Sequence, residues 1–350
     1  MANFKLISIL ATAYLANVVA SAPSGCAFSS SAGKKVSASA PYAGNDASSS
    51  APTAGVKASA DQKTATGFAG LNGGTTGGAG GTTTTVSSYD EFTQAVSGDK
   101  KKVVYVSGHI KKDAQQIPVG SNTSIIGKNA DAILEGFGMR VEERDNVIIR
   151  NVGVKKVLME NGDAITIDNS RNVWVDHCDF SSDLDHGKDY YDGLVDINHA
   201  SDYVTVSNSF FHDHYKASLI GSSDDNAEEN EGHLHVTQNN NYWYKIHSRT
   251  PSFRFGTGHI YNSFFQDVDD CIHTRLGAQL LVESNVFRET DDAVYSSDEG
   301  YAVARNNDFG PSKNKAPKGT LTSVDYEYEL LGPDNVKDAV VGTAGQTLTF

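Results

Sequence analysis

An asparagine followed two residues later by an aromatic ring recurs through the second half of the chain. It appears as Asn208-Ser-Phe, Asn240-Asn-Tyr, Asn262-Ser-Phe, Asn285-Val-Phe and Asn307-Asp-Phe, at steps of 32, 22, 23 and 22 residues. Each copy follows a β-rich run such as V-T-V-S or L-L-V-E-S. A near-constant period in the low twenties is the mark of a solenoid, in which each coil buries a face that no single coil could bury alone. Leucine-rich repeats share the period but need Leu in most of their fixed slots. Here Val, Ile, Phe and Asn fill them, so the expected fold is all-β, a right-handed single-stranded parallel β-helix. Asn tolerates left-handed turn positions, and its amide both donates and accepts, so stacked copies should form a ladder. His177, in V-W-V-D-H-C-D-F, falls where the next earlier Asn would stand and is read as a ladder residue rather than a catalyst.

The rest of the chain agrees with a solenoid. K-V-V-Y-V-S-G (102–108), S-I-I-G (124–127) and N-V-I-I-R-N-V-G-V (146–154) are β-branched runs of strand length punctuated by Gly or Asn. Before them, Ser88 and Glu91 have capping-box spacing ahead of Phe92, Ala95 and Val96, which predicts a short N-terminal capping helix. Residues 1–22 read as a secretory signal peptide: Lys5 precedes the apolar run from Leu6 to Ala20, and small residues follow. Residues 23–63 are rich in Ser, Ala and Gly and poor in large apolar side chains, which predicts a disordered linker. The β-helix domain is then expected over 64–350, as a secreted monomer with no membrane span.

The three cysteines are Cys26, Cys178 and Cys271. Cys178 and Cys271 are expected either to pair or to remain as buried thiols, since a large core does not need the staple. The formal charge of −14 excludes bulk affinity for nucleic acid. A polyanionic ligand therefore needs a local basic strip or a bridging cation.

Both are present as candidates. Asp192-Gly-Leu-Val-Asp196 leads into the strand V-D-I-N, and its four-residue spacing puts both acids on one face. Gly193 is expected to turn the chain so that the two approach. Asp163, in G-D-A-I-T-I-D, occupies the corresponding place one coil earlier, and parallel strands stack about 4.8 Å apart. An oxygen-only cluster of this kind fits Ca2+. No His/Cys grouping competes for zinc; His212-Asp213-His214 has the alternation of a strand rim. Lys216 falls one coil after the acids and one before Arg249, and Arg254 lies five residues beyond Arg249, with Pro251 between the arginines to break the pleat and aim both at one groove. An acidic pocket flanked by guanidinium forks suits an anionic polymer whose carboxylates are clamped.

Several blocks, in order from about Gly67 to about Phe309, carry a family resemblance: G-L-N-G-G-T-T-G-G-A-G-G (70–81), S-I-I-G, V-W-V-D-H-C-D-F, D-G-L-V-D (192–196), K-A-S-L-I-G (216–221) and R-T-P-S-F-R-F-G (249–256). Together they resemble the first polysaccharide lyase family, the extracellular pectate lyases. The resemblance implies calcium-dependent β-elimination of α-1,4-polygalacturonate. It matches Asp163, Asp192 and Asp196 to the metal carboxylates, Arg249 to the base that removes the C5 proton, and Lys216 and Arg254 to groups that bind substrate carboxylates. An arginine base needs desolvation beside other cations, because its free pKa exceeds about 12, and an alkaline optimum follows. Some family members have an acid where Asn161 stands. Two other functions remain open on the same scaffold: a hydrolase using the paired acids Asp269-Asp270 or Asp291-Asp292, and a noncatalytic polysaccharide-binding β-helix.

Overall fold

The computed structural model describes residues 64–350 and the two-residue strand Val56–Lys57. The expected signal peptide and nearly all of the expected linker lie outside the described residues. Val56–Lys57, inside the linker stretch, pairs in parallel with Leu348–Thr349 near the end of the chain.

Parallel strands stack coil upon coil, as a period of 22 residues requires. A ten-stranded sheet starts at Thr82–Val86 and Lys102–Val106 and ends at Tyr301–Arg305. A fourteen-stranded sheet holds two further stacks, one beginning at His109–Lys111 and the other at Ile117–Pro118. They are joined at Phe264–Arg275, which with Val286–Ser297 runs straight through the corner as a twelve-residue strand. The first end is closed by the helix Tyr89–Val96, whose Phe92 and Val96 are fully buried. Ser88 accepts the Glu91 N–H at 3.4 Å, and Glu91 accepts the Ser87 N–H at 2.9 Å.

Through a core made mostly of Val and Ile runs a file of aromatic rings, at one inward position per coil. Phe180, Phe211, Trp243, Phe265, Phe287 and Phe309 stack in succession, with centroid separations of 5.0, 4.1, 6.0, 4.6 and 5.4 Å. Burying a ring of this size contributes about 1.5–3 kcal/mol, and the file repeats that contribution coil after coil. A second file, Phe210, Tyr242 and Phe264, lies one residue earlier in each coil.

The two files correct the sequence repeat. Asn208, Asn240 and Asn262 occupy left-handed turns with φ of 49, 55 and 52°, but the next members of that column are Ser284 and Asn306, each with φ of 53°. Asn285 and Asn307 belong to the neighbouring column, where the Ser263 N–H donates to Asn285 Oδ1 and Asn285 Nδ2 donates to Asn307 Oδ1. The step of 23 thus marks a shift between two ladders, because both columns favour side chains that hydrogen-bond along the stack. His177 (φ 50°) stands in the first column, in register with Asn208, as expected.

Cys178 and Cys271 are both buried free thiols. The acidic stretch near the end of the chain also has a place. Tyr326 and Tyr328 alternate with exposed Asp325, Glu327 and Glu329, and the two rings lie on the ten-stranded sheet. The Tyr326 hydroxyl is 2.7 Å from His259 Nδ1, while Tyr328 donates to Glu283 Oε2 at 2.8 Å.

Candidate active site

Strands Ile165–Asp168 and Val195–Asn198 are neighbours, with Thr166 opposite Asp196. Asp163 lies three residues before the position opposite Asp196, yet the two acids still meet. The Gly193 N–H donates to Asp163 Oδ1 at 2.9 Å, and the Leu219 N–H donates to Asp196 Oδ1 at 2.9 Å. A Cβ built on Gly193 would stand 2.7 Å from each of those oxygens. Gly193 is therefore required by close approach of two carboxylates, and its φ is not left-handed, so the turn expected of it is not why it is glycine. Thr166 Oγ1 donates to Asp163 Oδ2 at 2.6 Å.

Burial raises the proton affinity of both acids, and their mutual repulsion adds to it. Asp163 is pushed up to about 6, first by burial and further by the charge of Asp192; Asp196 is raised well above the usual carboxylate range by burial and by Asp163. Two buried carboxylates facing each other, neither in an ion pair among the described residues, form a donor set that a hard divalent ion would relieve. Asp192 is near enough for its charge to act on both acids, and its Oδ1 is paired with Lys216 Nζ at 3.3 Å. Among the described residues no three His, Cys, Asp or Glu side chains form a ready-made metal cluster. Asn161 has its amide committed elsewhere, donating to Asp113 Oδ1 at 2.6 Å and accepting from Gln115 at 3.3 Å.

Lys216 ends the strand Phe210–Lys216 and pairs in register with Ser248, so Arg249 follows directly on the next coil. Its buried ammonium contacts Asp192 and also Asp189, at 3.1 Å. Arg249 has φ of 62° and precedes the cis Thr250–Pro251 peptide; its carbonyl accepts the Ser218 N–H at 2.7 Å. Among the described residues no carboxylate lies within 4.0 Å of its guanidinium. Its charge is nevertheless felt at Asp189, Asp196 and His214. His214 is buried beneath this cluster and pushed down to about 4, chiefly by that burial, so it is neutral at ordinary pH.

Arg254, on strand Ser252–Arg254, donates from Nε to Asp224 Oδ1 at 2.6 Å and from Nη1 to the Gly221 carbonyl at 2.8 Å. Arg275 is in register with it one coil on and contacts the other oxygen of Asp224 at 2.9 Å. The structure thus brings Asp163 and Asp196 together and sets Lys216 against Asp192. Arg249 stands unpaired beside them, with Arg254 on the same sheet. Sequence reasoning missed Thr166, Asp189, Asp224 and Arg275. Nothing local marks these residues; the stacking of strands and turns from different coils puts them in contact.

The comparisons with known proteins agree with this arrangement. The family model described as pectate lyase matches residues 47–348. A pectate lyase A of Aspergillus niger is 68% identical over 286 residues, covering 82% of this chain and 88% of the relative. A pectate lyase A of Emericella nidulans is 64% identical over 289 residues, covering 83% and 88%. A crystal structure of a pectate lyase from Bacillus sp. N165 in complex with trigalacturonate superposes with a TM-score of 0.74 at 30% identity, covering 80% of this chain and 98% of that one. On fold, motif order and identity alike, the chain belongs to the pectate lyase family.

Proposed function

We propose that this chain is a secreted calcium-dependent lyase that cleaves de-esterified α-1,4-polygalacturonate by β-elimination, leaving oligogalacturonides with unsaturated non-reducing ends. The observation that carries the assignment of roles is the unpaired Arg249 guanidinium beside a lysine and two proton-hungry carboxylates. Asp163 and Asp196, with Asp192 turning from Lys216, would hold calcium. That ion, when bound, draws charge from a substrate C6 carboxylate and so acidifies the neighbouring C5 proton.

The protein's own groups supply the remainder. Lys216 presents a buried ammonium to the same carboxylate and stabilises the enolate-like charge that develops there. Arg249, as the neutral guanidine that a base must be, takes the C5 proton and becomes guanidinium. The C5–H electron pair becomes the C4=C5 double bond as the C4–O bond breaks, and the departing oxygen takes a proton from solvent water. Arg254 has two of its nitrogens fixed by Asp224 and Gly221, which leaves Nη2 to grip a second carboxylate. Of the paired acids suggested for a hydrolase, one in each pair has a cationic partner: Asp269 pairs with His247 at 2.5 Å, and Asp292 pairs with Lys315. No helix among the described residues is long and apolar enough to cross a membrane.

Incubation with polygalacturonate, with and without a calcium chelator, tests the proposal through the ultraviolet absorbance of unsaturated ends. Activity that survives exhaustive chelation would remove calcium from the mechanism. Saturated reducing ends as the only new ends would overturn the elimination.

A further inference from the structure

We infer that Tyr190, carried on a rigid pedestal beside the acids, is a stacking platform for a pyranose ring of the bound polygalacturonate. The inference rests on the pectate-cleaving reading and extends that site. Tyr190 is 46% exposed and Met159 48%, which makes them the two most exposed large apolar side chains among the described residues. They are adjacent: the Met159 N–H donates to the Tyr190 carbonyl at 3.0 Å, and Leu158 and Tyr191 form an antiparallel bridge. Met159 opens the short helical turn that leads into Asp163, and Tyr190 follows Asp189 and precedes Asp192 by two residues. The patch therefore flanks the cluster that holds Lys216.

Single exposed apolar residues are common and by themselves mean little. What sets Tyr190 apart is its support. One face of its ring lies on His186 with centroids 3.9 Å apart and an interplanar angle of 12°, and the ring of Tyr191 meets it edge-on at 4.8 Å and 87°. His186 Nδ1 is 2.6 Å from Asp183 Oδ1. Asp183 Oδ2 accepts the Tyr191 hydroxyl at 2.7 Å and lies 3.2 Å from Lys156 Nζ. His186 and Tyr191, both tied to Asp183, thus support a ring that stays 46% exposed.

A ring already immobilised loses little entropy when a ligand covers it. An electron-rich aromatic face suits the apolar C–H face of a sugar ring, while the ring's hydroxyls and carboxylate stay in water. The occupant follows from continuity, since a polymer whose carboxylates are held at Lys216 must run on past the residues bordering that site.

The test is kcat/KM on oligogalacturonates of increasing defined length at saturating calcium, for wild type, Tyr190→Ala and Tyr190→Phe. Tyr190→Ala should match wild type on the shortest oligomer cleaved and fall about 3- to 10-fold behind on longer ones, chiefly through KM, as expected for loss of one aromatic stack. Tyr190→Phe keeps the π face and should follow wild type at every length. Equal KM at all lengths overturns the platform. So does a deficit that is the same at every length, which would mean that the residue acts through Asp189 and Lys216. If Tyr190→Ala melts below wild type, Tyr190→Leu replaces it, and a length-independent Leu variant is equally fatal. A wild-type protein that does not cleave polygalacturonate at all defeats the lyase reading itself, and the platform with it.

Discussion

Gly193→Ala should damage calcium binding while leaving the fold in place. Gly193 has no left-handed φ, so alanine brings no backbone strain, and the whole effect comes from the added methyl. That methyl would stand 2.7 Å from Asp163 Oδ1 and 2.7 Å from Asp196 Oδ1, where 3.4 Å is the lower limit of ordinary contact. The oxygens must each retreat by several tenths of an ångström. Neither is free to do so, because one accepts the Gly193 N–H and the other the Leu219 N–H. A hydrogen bond to a charged group is worth about 1.5–3 kcal/mol. Losing or straining one such bond while displacing a ligand oxygen should raise the calcium concentration for half-maximal activity by about 10- to 100-fold. The assay is initial rate against buffered free calcium, paired with a thermal melt in chelator. At saturating calcium, kcat should return to within a few-fold of wild type. A half-saturating concentration within about three-fold of wild type, with an unchanged melt, would refute the claim that these two carboxylates converge on the metal.

Three further outcomes are expected. Arg249→Lys keeps a charge but loses the planar fork, so kcat should fall by about 10²–10⁴ with KM largely kept, whereas Arg254→Lys should mainly raise KM; near wild-type kcat in the first variant would end its role as base. In chelator, the Asp163 carboxyl, raised to about 6, favours the folded protein below the ordinary aspartate range, and this contribution is lost as pH rises through 6; melts should therefore drop between about pH 4 and pH 7, and calcium should abolish the drop. Glu283 behaves oppositely. Despite burial, which alone would raise it, hydrogen bonds from His259, Arg305 and Tyr328 pull it down to about 2, so its contribution is present above the ordinary glutamate range and lost as pH falls toward 2. Tyr328→Phe should remove about 1 kcal/mol of stability at neutral pH and shrink that acid dependence, and urea melts at pH 3 and 7 would show whether it does.

What the sequence determined by itself is whatever depends on a short stretch repeating. Inward Val, Ile and Phe at one position per coil, turn asparagines with left-handed φ, and a Ser88 cap are local demands, so the parallel β-helix and its capping helix could be read from composition and period. The roles of Asp163, Asp192, Lys216 and Arg249 were legible through the family resemblance that short contiguous blocks carry. Register was not. A 23-residue step in the Asn repeat hid a move between two adjacent ladders, because Asn is favoured in both. Only stacking decided that Asp163 meets Asp196 over Gly193 although Thr166 is the residue opposite Asp196. It also decided that Lys216 is held by Asp189 and Asp192, that Arg254 shares Asp224 with Arg275, and that the tyrosines of the terminal acidic stretch lie on Glu283 and His259. Those partners are roughly one coil or more apart along the chain, and the energy that joins them comes from burial and charge across strands, which no window of sequence contains.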